Sequence, residues 1–248
     1  VPVVTPSWPC ATGVRAAVSS RRGGVSVAPW DSLNLAFHVG DSPVAVQQNW
    51  QLLSALLRLP SPPQLLKQVH GTDVVVARDD RVIRCGDGCY SDQVGVVCAV
   101  MTADCLPILI CNRQGSEVAA LHAGWRGLAD GVVASGIKQF RSPPDQLLAW
   151  LGPAISQDHF EVGEDVFSAF MLRAGDWGTA AEIRACFRQA GPGHWHCDLY
   201  ALARLALHAM GVEYIYGGDY CTYGDDELFY SYRRDGQTGR MASLIWIS

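Results

Sequence analysis

Three residues of the types that bind metals or move protons each sit where an apolar run breaks. They are His70 in LKQVHG, Cys105 in MTADCLPILIC and His122 in EVAALHAGWRG. Thiolate and imidazole are zinc ligands. Three protein donors leave a fourth position open, the catalytic pattern, whereas four close the site. Zinc in an open set lowers the pKa of a bound water and makes it a nucleophile near neutral pH. The expectation is that His70, Cys105 and His122 meet in space and bind one zinc ion. Spacing alone does not establish this, because no CxxC or HExxH is present; a buried Cys and two satisfied His is the plainer alternative. A metal-free reading keeps the same residues, with Cys105 as nucleophile and His122 as base. Asp104 weakens that reading, since an adjacent negative charge raises a thiol pKa. Bound zinc would overcome the same repulsion.

Other candidates surround these three. Arg126 falls in the first turn of a helix that opens after His122. The helix dipole makes it a poor structural choice there, and a helix start favours anions. It reads as a phosphate or carboxylate clamp, or else as an ion-pair partner of Asp87 or Asp104. Arg21 and Asn34 lie in the Gly- and Ser-rich stretch SSRRGGVSVAPWDSLNL. Its glycines let backbone approach a ligand, and a solvated face is the alternative. Gln68, Asp87 and the SYRR segment with Ser231, Tyr232 and Arg233 complete the expected pocket lining. His194, His196 and Cys197 form a second cluster in GHWHCD; in a strand the two His would share one face. No dinucleotide fingerprint, P-loop or PCxxC deaminase signature is present.

The elements that must hold these residues follow from periodicity. GVVCAVMTA, PILIC, EVAALH, LLAWLG and MASLIWI read as buried strands. Residues 11–20 and YIYGG add two more. Val46, Leu52, Leu53, Leu56 and Leu57 predict a helix that starts near Asp41 or Ser42 and stops before Pro60. LLKQV and DVVVA predict a strand–turn–strand with His70 at the turn. Residues 79–93 read as a loop. Leu128, Val132, Val133, Ile137 and Phe140 predict one helix after His122. Residues 164–174 and 198–210 predict two more, the second capped by Asp198 and ended by Gly211. The pattern is α+β, one compact unit over residues 1–248.

Composition narrows the class. The chain has 248 residues, 49% of them hydrophobic, and a net charge of −5. No basic stripe suggests nucleic acid, no apolar run is long enough to span a membrane, and VPVVTPSWPC does not read as a signal peptide. Nine irregularly spaced Cys argue against a disulfide framework and for a reduced, cytoplasmic protein. Oligomeric state is not legible.

LKQVHG, TADCLPILIC, LHAGWRG, FEVG and FYSYRRDGQTGRMASLIW, with RRGGVS…DSLNL…HVGD before them, together resemble the YfiH-like laccase-domain family, also called multicopper polyphenol oxidase. The resemblance looks closest to its peptidoglycan-editing branch and runs from about residue 19 to the C-terminus. It implies an α+β sandwich with mixed sheets, related to cysteine-hydrolase-like folds, and metal ligands at His70, Cys105 and His122. It implies phosphorolysis of adenosine, inosine and methylthioadenosine, and deamination of adenosine. Two alternatives follow from it: an amidase removing L-serine from a UDP-MurNAc precursor, and a copper-dependent oxidase, with copper in place of zinc. A non-catalytic, zinc-stabilised binding protein is a fourth reading. Arg126, with Arg21 or Arg233, would hold phosphate, and Asp87 or Asp104 would relay protons or hold ribose hydroxyls. Seven His in total are too few and too scattered for a four-copper array. Ala154 in GPAIS departs from the Cys that many members carry.

Overall fold

The strand Val97–Thr102 turns Val97, Ala99 and Met101 to one face and Cys98 and Val100 to the other, and this alternation sets the layering. The computed structural model describes residues 3–248. Val97–Thr102 pairs antiparallel with Met241–Ile247, which pairs antiparallel with Val14–Ser19, within a four-stranded sheet. A second sheet of six strands is built around Leu106–Asn112, flanked antiparallel by Val118–Ala123 and Leu147–Leu151. Parallel pairs complete it towards both edges: Leu147–Leu151 with Tyr214–Gly217, and Val74–Val76 with Gly88–Ser91.

The two sheets face each other across one core. Cys98, Val100 and Ile245 from the first meet Leu109, Cys111, Ala120 and Leu148 from the second. On the far side of the second sheet, Ile108, Ile110 and Leu121 pack against Val133, Ile137, Leu202 and Ala206 of the helices Val132–Ile137 and Leu199–Ala209. The helix Pro43–Leu57 covers the far side of the first sheet with Trp50, Leu53 and Leu57. Helix, sheet, sheet, helix is thus the order of layers, an α+β sandwich. Strands sealed on both faces explain the near-continuous apolar runs. Each fully buried Leu or Ile contributes roughly 1.5–3 kcal/mol.

Several expectations need correction. Leu66–Lys67 and Val74–Val76 do not form a hairpin; each pairs in parallel with a different later strand, Arg84–Cys85 and Gly88–Ser91. The same pairings turn part of the expected 79–93 loop into strand, and Gly88–Ser91 is wholly buried. The helix after His122 is two helices, Trp125–Asp130 and Val132–Ile137, because Gly131 between them sits at φ 106°. An L-residue resists that left-handed conformation, so the glycine permits the break. The helix Pro43–Leu57 starts as expected, and the chain turns left-handed at Arg58, before Pro60. Glu164–Met171 and Leu199–Ala209 fall within their expected ranges, and Asp198 caps the latter by accepting from Ala201 N–H at 2.9 Å.

Candidate metal centre and pocket

Residues 103–105 are where the chain leaves the first sheet and enters the second. Asp104 takes φ 84° in this crossover, a left-handed conformation uncommon outside glycine and enriched in Asp and Asn. Its carboxylate is held from both sides: Thr222 Oγ1 donates to Oδ1 at 2.7 Å and Arg233 N–H to Oδ2 at 2.7 Å. The strand that follows fixes Cys105 relative to the next strand, since Leu106 pairs with Ala123 and Pro107 with His122.

His70 comes from a turn that one carboxylate organises. Asp87 accepts from the backbone N–H groups of Val69 at 3.2 Å, His70 at 2.9 Å and Gly71 at 2.7 Å. The turn places His70 itself at φ 61°. Asp87 also receives the Nδ1–H of His122 at 2.8 Å, and its carbonyl receives the His122 N–H at 2.7 Å. A single buried Asp therefore sets the His70 turn and orients the His122 ring. With Nδ1 engaged by a carboxylate, Nε2 is the His122 atom left to bind a metal once its own proton is displaced.

The donor atoms of His70, Cys105 and His122 all lie within 4.8 Å of one another, and His70 Nε2 is 3.8 Å from Cys105 Sγ. Zinc–nitrogen bonds of about 2.0–2.1 Å and zinc–sulfur bonds of about 2.3 Å set tetrahedral donors about 3.3–3.8 Å apart, so the His70–Cys105 pair already has the spacing and the widest pair closes by about 1 Å on binding. The carboxylate behind a ligating His is the usual outer support of a metal site. Gly124 keeps the space clear: a Cβ there would fall 2.8 Å from His70 Cδ2 and 3.1 Å from Cys105 Sγ. On geometry and donor chemistry the residues fit a zinc ion with an open position. Among the described residues this is the one cluster of three or more His, Cys, Asp or Glu that can hold a metal.

Electrostatics points the same way. Burial opposes ionisation of the Cys105 thiol, but the charge of His122 and hydrogen bonds from both imidazoles outweigh it and hold the thiol at about 6. Burial likewise opposes charging of His122, yet the Cys105 thiolate and the Asp87 hydrogen bond raise it to about 9. Burial also works against the Asp87 carboxylate, and hydrogen bonds from His122, Gly71 and Val69 still lower its pKa. The Asp104 carboxylate beside Cys105 is occupied by the Thr222 hydroxyl and the Arg233 backbone N–H, and the imidazoles outweigh what opposes the thiolate.

The donors open into a cavity of about 430 Å³ whose lining includes Gln68, Met101, Ile155, Phe160, Tyr232 and Arg233. Gln68 both donates to and accepts from the Met101 backbone, each at 2.8 Å, so its amide fixes the wall. Arg233 lies over the Phe160 ring, 5.3 Å from its centroid. Besides the apolar wall and Thr102, two titratable lining residues were not among the sequence candidates, His38 and Arg240. Arg240 is half-buried, and Nη1 donates to the carbonyls of Thr238 and Gly239 at 2.9 Å. Burial and then the Arg240 charge lower the pKa of His38. The available signal for Arg240 was an arginine at the mouth of a largely apolar strand; His38 carried none.

Four expected pocket residues lie elsewhere. Arg126 is exposed and stacks on Trp125, 4.3 Å from the ring centroid. Arg21 pairs with Asp31 at 3.6 Å and lies over Tyr230. Asn34 is fully buried: it donates to Ala36 and Asp41 and accepts from Arg240 N–H at 3.0 Å, so it positions Arg240. Asp87 is fully buried and faces the His70 turn, away from any ligand space. In the second His cluster, His194 pairs with Glu161 at 2.9 Å, His196 Nδ1 lies 3.0 Å from the Gln157 carbonyl, and Cys197 is buried.

The family model described as multi-copper polyphenol oxidoreductase laccase matches residues 15–248. The chain belongs to this family. Purine nucleoside phosphorylase YfiH of Escherichia coli K12 is 50% identical over 246 residues, 99% of this chain and 98% of that protein. Purine nucleoside phosphorylase PA4543 of Pseudomonas aeruginosa is 50% identical over 98% of each. Among solved structures, Neisseria meningitidis NMB0706 superposes with TM-score 0.93 at 46% identity, covering 99% of both chains. YlmD of Geobacillus stearothermophilus superposes at 0.88 with 29% identity, again over 99% of both. The family is thus shared with proteins named as enzymes, and the fold with solved members.

Proposed function

We propose that this chain is a zinc-dependent purine nucleoside enzyme that cleaves the N-glycosidic bond by phosphorolysis and also deaminates adenosine. The observation that carries the reading is the composition of the cavity. His70, Cys105 and His122 stand on one wall, and Arg233, Arg240 and Tyr232 line the same space. Relatives at 50% identity named purine nucleoside phosphorylase supply the reaction class.

His70, Cys105 and His122 would hold the zinc, and a zinc ion there supplies Lewis-acid chemistry at the edge of the cavity. Arg240 and Arg233 face inorganic phosphate, and guanidinium groups suit its planar, bidentate recognition. Phe160, Ile155 and Met101 offer apolar surface to a purine. In phosphorolysis a phosphate oxygen bonds to ribose C1′ as the C1′–N9 bond breaks and the base leaves. Holding both reactants in one cavity removes most of the entropic cost. Asp87 contacts neither reactant; it orients His122. About 430 Å³ lies at the small end of ligand cavities, about 300–1,000 Å³. One three-donor cluster argues against a multi-copper array. Nine free thiols fit a reduced, cytoplasmic setting.

The test is zinc-loaded protein with adenosine or inosine, with and without phosphate, read by chromatography. Phosphate-dependent release of adenine or hypoxanthine, and phosphate-independent inosine from adenosine, are expected. No product above a Cys105→Ala control would sink the reading. Arg240→Ala should raise KM for phosphate about tenfold or more, in line with a lost charge-assisted contact, and leave KM for the nucleoside nearly unchanged.

A further inference from the structure

A second thiol–imidazole constellation stands outside the cavity. Cys221 Sγ receives the Ser156 hydroxyl at 3.0 Å and the Gly224 backbone N–H at 3.3 Å, and it lies 3.3 Å from His159 Nδ1. His159 is exposed and stacked on Tyr223, with ring centroids 4.5 Å apart, so its ring is fixed in place. Cys221 is half-exposed. None of these residues takes part in the reaction proposed above; Gly224 belongs to the sulfur's own turn, whereas Ser156 and His159 reach it from a separate segment of the chain. A nucleophile within hydrogen-bond reach of a base that is itself oriented is the arrangement that activates a thiol. Cys85 offers an internal contrast, being exposed with no imidazole hydrogen-bonded to it among the described residues.

We propose that Cys221, with His159 as its base, is a modification site for small electrophiles, hydroperoxides in particular. In the peroxide reaction His159 Nδ1 takes the thiol proton, and the sulfur electron pair attacks one peroxide oxygen. The S–O bond forms as the O–O bond breaks. The departing oxygen takes the proton from His159 and leaves as water from hydrogen peroxide. Sulfur is oxidised by two electrons to the sulfenic acid and the peroxide is reduced. Ser156 and Gly224 then remain as donors to the modified group.

The position of the site gives such an adduct a route to the cavity. Cys221 bridges Ala154, next to the lining residue Ile155, and Thr222 is the hydroxyl that holds Asp104.

Limited iodoacetamide labelling of the whole protein, with each cysteine quantified by peptide mass spectrometry, tests the proposal without reference to enzyme activity. Cys221 should label at least about tenfold faster than Cys85. His159→Asn, which keeps a polar group but cannot serve as base, should bring Cys221 down to the Cys85 rate. His159→Gln is the second variant should the first fail to fold by circular dichroism. Brief substoichiometric hydrogen peroxide followed by dimedone should tag Cys221 and leave Cys85 untagged. Equal labelling of Cys221 and Cys85, an unchanged rate in both His159 variants, or no dimedone adduct at Cys221 would overturn it.

Discussion

Asp87 spends both carboxylate oxygens on its neighbours, three backbone N–H groups and one imidazole. An Asn in its place would turn an NH₂ towards groups that are themselves donors, leaving at least one buried N–H without an acceptor. Asp87→Asn should lower zinc affinity about 10–100-fold, the usual effect of losing a carboxylate behind a ligating His. It should also cost about 1–3 kcal/mol of stability for the orphaned donor. Competition against a chromophoric chelator measures the first and urea unfolding the second. An affinity within about twofold of the unsubstituted protein would show that the His122 ring needs no such support. The sequence could not assign this role, because Asp87 sits in a stretch whose strand pairing was not visible. As a polar residue near a candidate site it read as a ligand contact, and only the pairing of Gly88 with Leu121 shows that it stands behind His122.

At the scale of elements, the site exists because several backbone segments approach more closely than side chains normally allow. Gly124 follows the strand that carries His122, and an added Cβ would meet the His70 and Cys105 side chains. Gly127, in the first turn of the next helix, packs on the His70 turn, where a Cβ would fall 2.6 Å from the Gly71 carbonyl oxygen. These two glycines predict different failures. Gly124→Ala should leave the melting temperature within a few degrees, since a ligand side chain can swing aside, yet reduce bound zinc per chain well below one. Gly127→Ala meets backbone and should destabilise by about 1–3 kcal/mol, the range for overpacking. Elemental analysis beside thermal melts separates the two, and identical profiles would contradict the assignment. The sequence shows Gly124 and Gly127 beside His122, but not what they approach. Local pattern was equally good at finding the buried strands and poor at their partners. Apolar runs report burial on both faces, whereas the parallel pairing of Val74–Val76 with Gly88–Ser91 depends on residues far apart in the chain. Arg126 differs for a related reason: a helix does begin at Trp125, but the residue is exposed and lies on the Trp125 ring.

Across the whole molecule, packing brings residues 70, 105 and 122 into one electrostatic unit with a definite pH signature. Cys105 is held at about 6 and His122 at about 9, against ordinary values of 9.0 and 6.5. Taken singly, the lowered thiol contributes stability that is complete above about pH 9 and lost as pH falls through 6. The raised imidazole contributes stability that is complete below about pH 6.5 and lost as pH rises through 9. The two nearly cancel in the sum: folded and unfolded pairs bind almost the same number of protons at every pH, because folding moves the proton from sulfur to nitrogen without releasing it. In chelated protein the thiolate absorbance of this cysteine should therefore titrate near pH 6, while the stability difference between unsubstituted protein and Cys105→Ser stays nearly constant from about pH 6 to 9. His122→Asn should move that thiolate titration up towards 9. Zinc must still displace the one proton left on the pair, so its apparent affinity should rise about tenfold per pH unit between about pH 7 and 9. A thiolate that appears only near pH 9, or zinc affinity flat across that window, would mean that Cys105 and His122 do not share a proton and that the zinc reading has lost its electrostatic support.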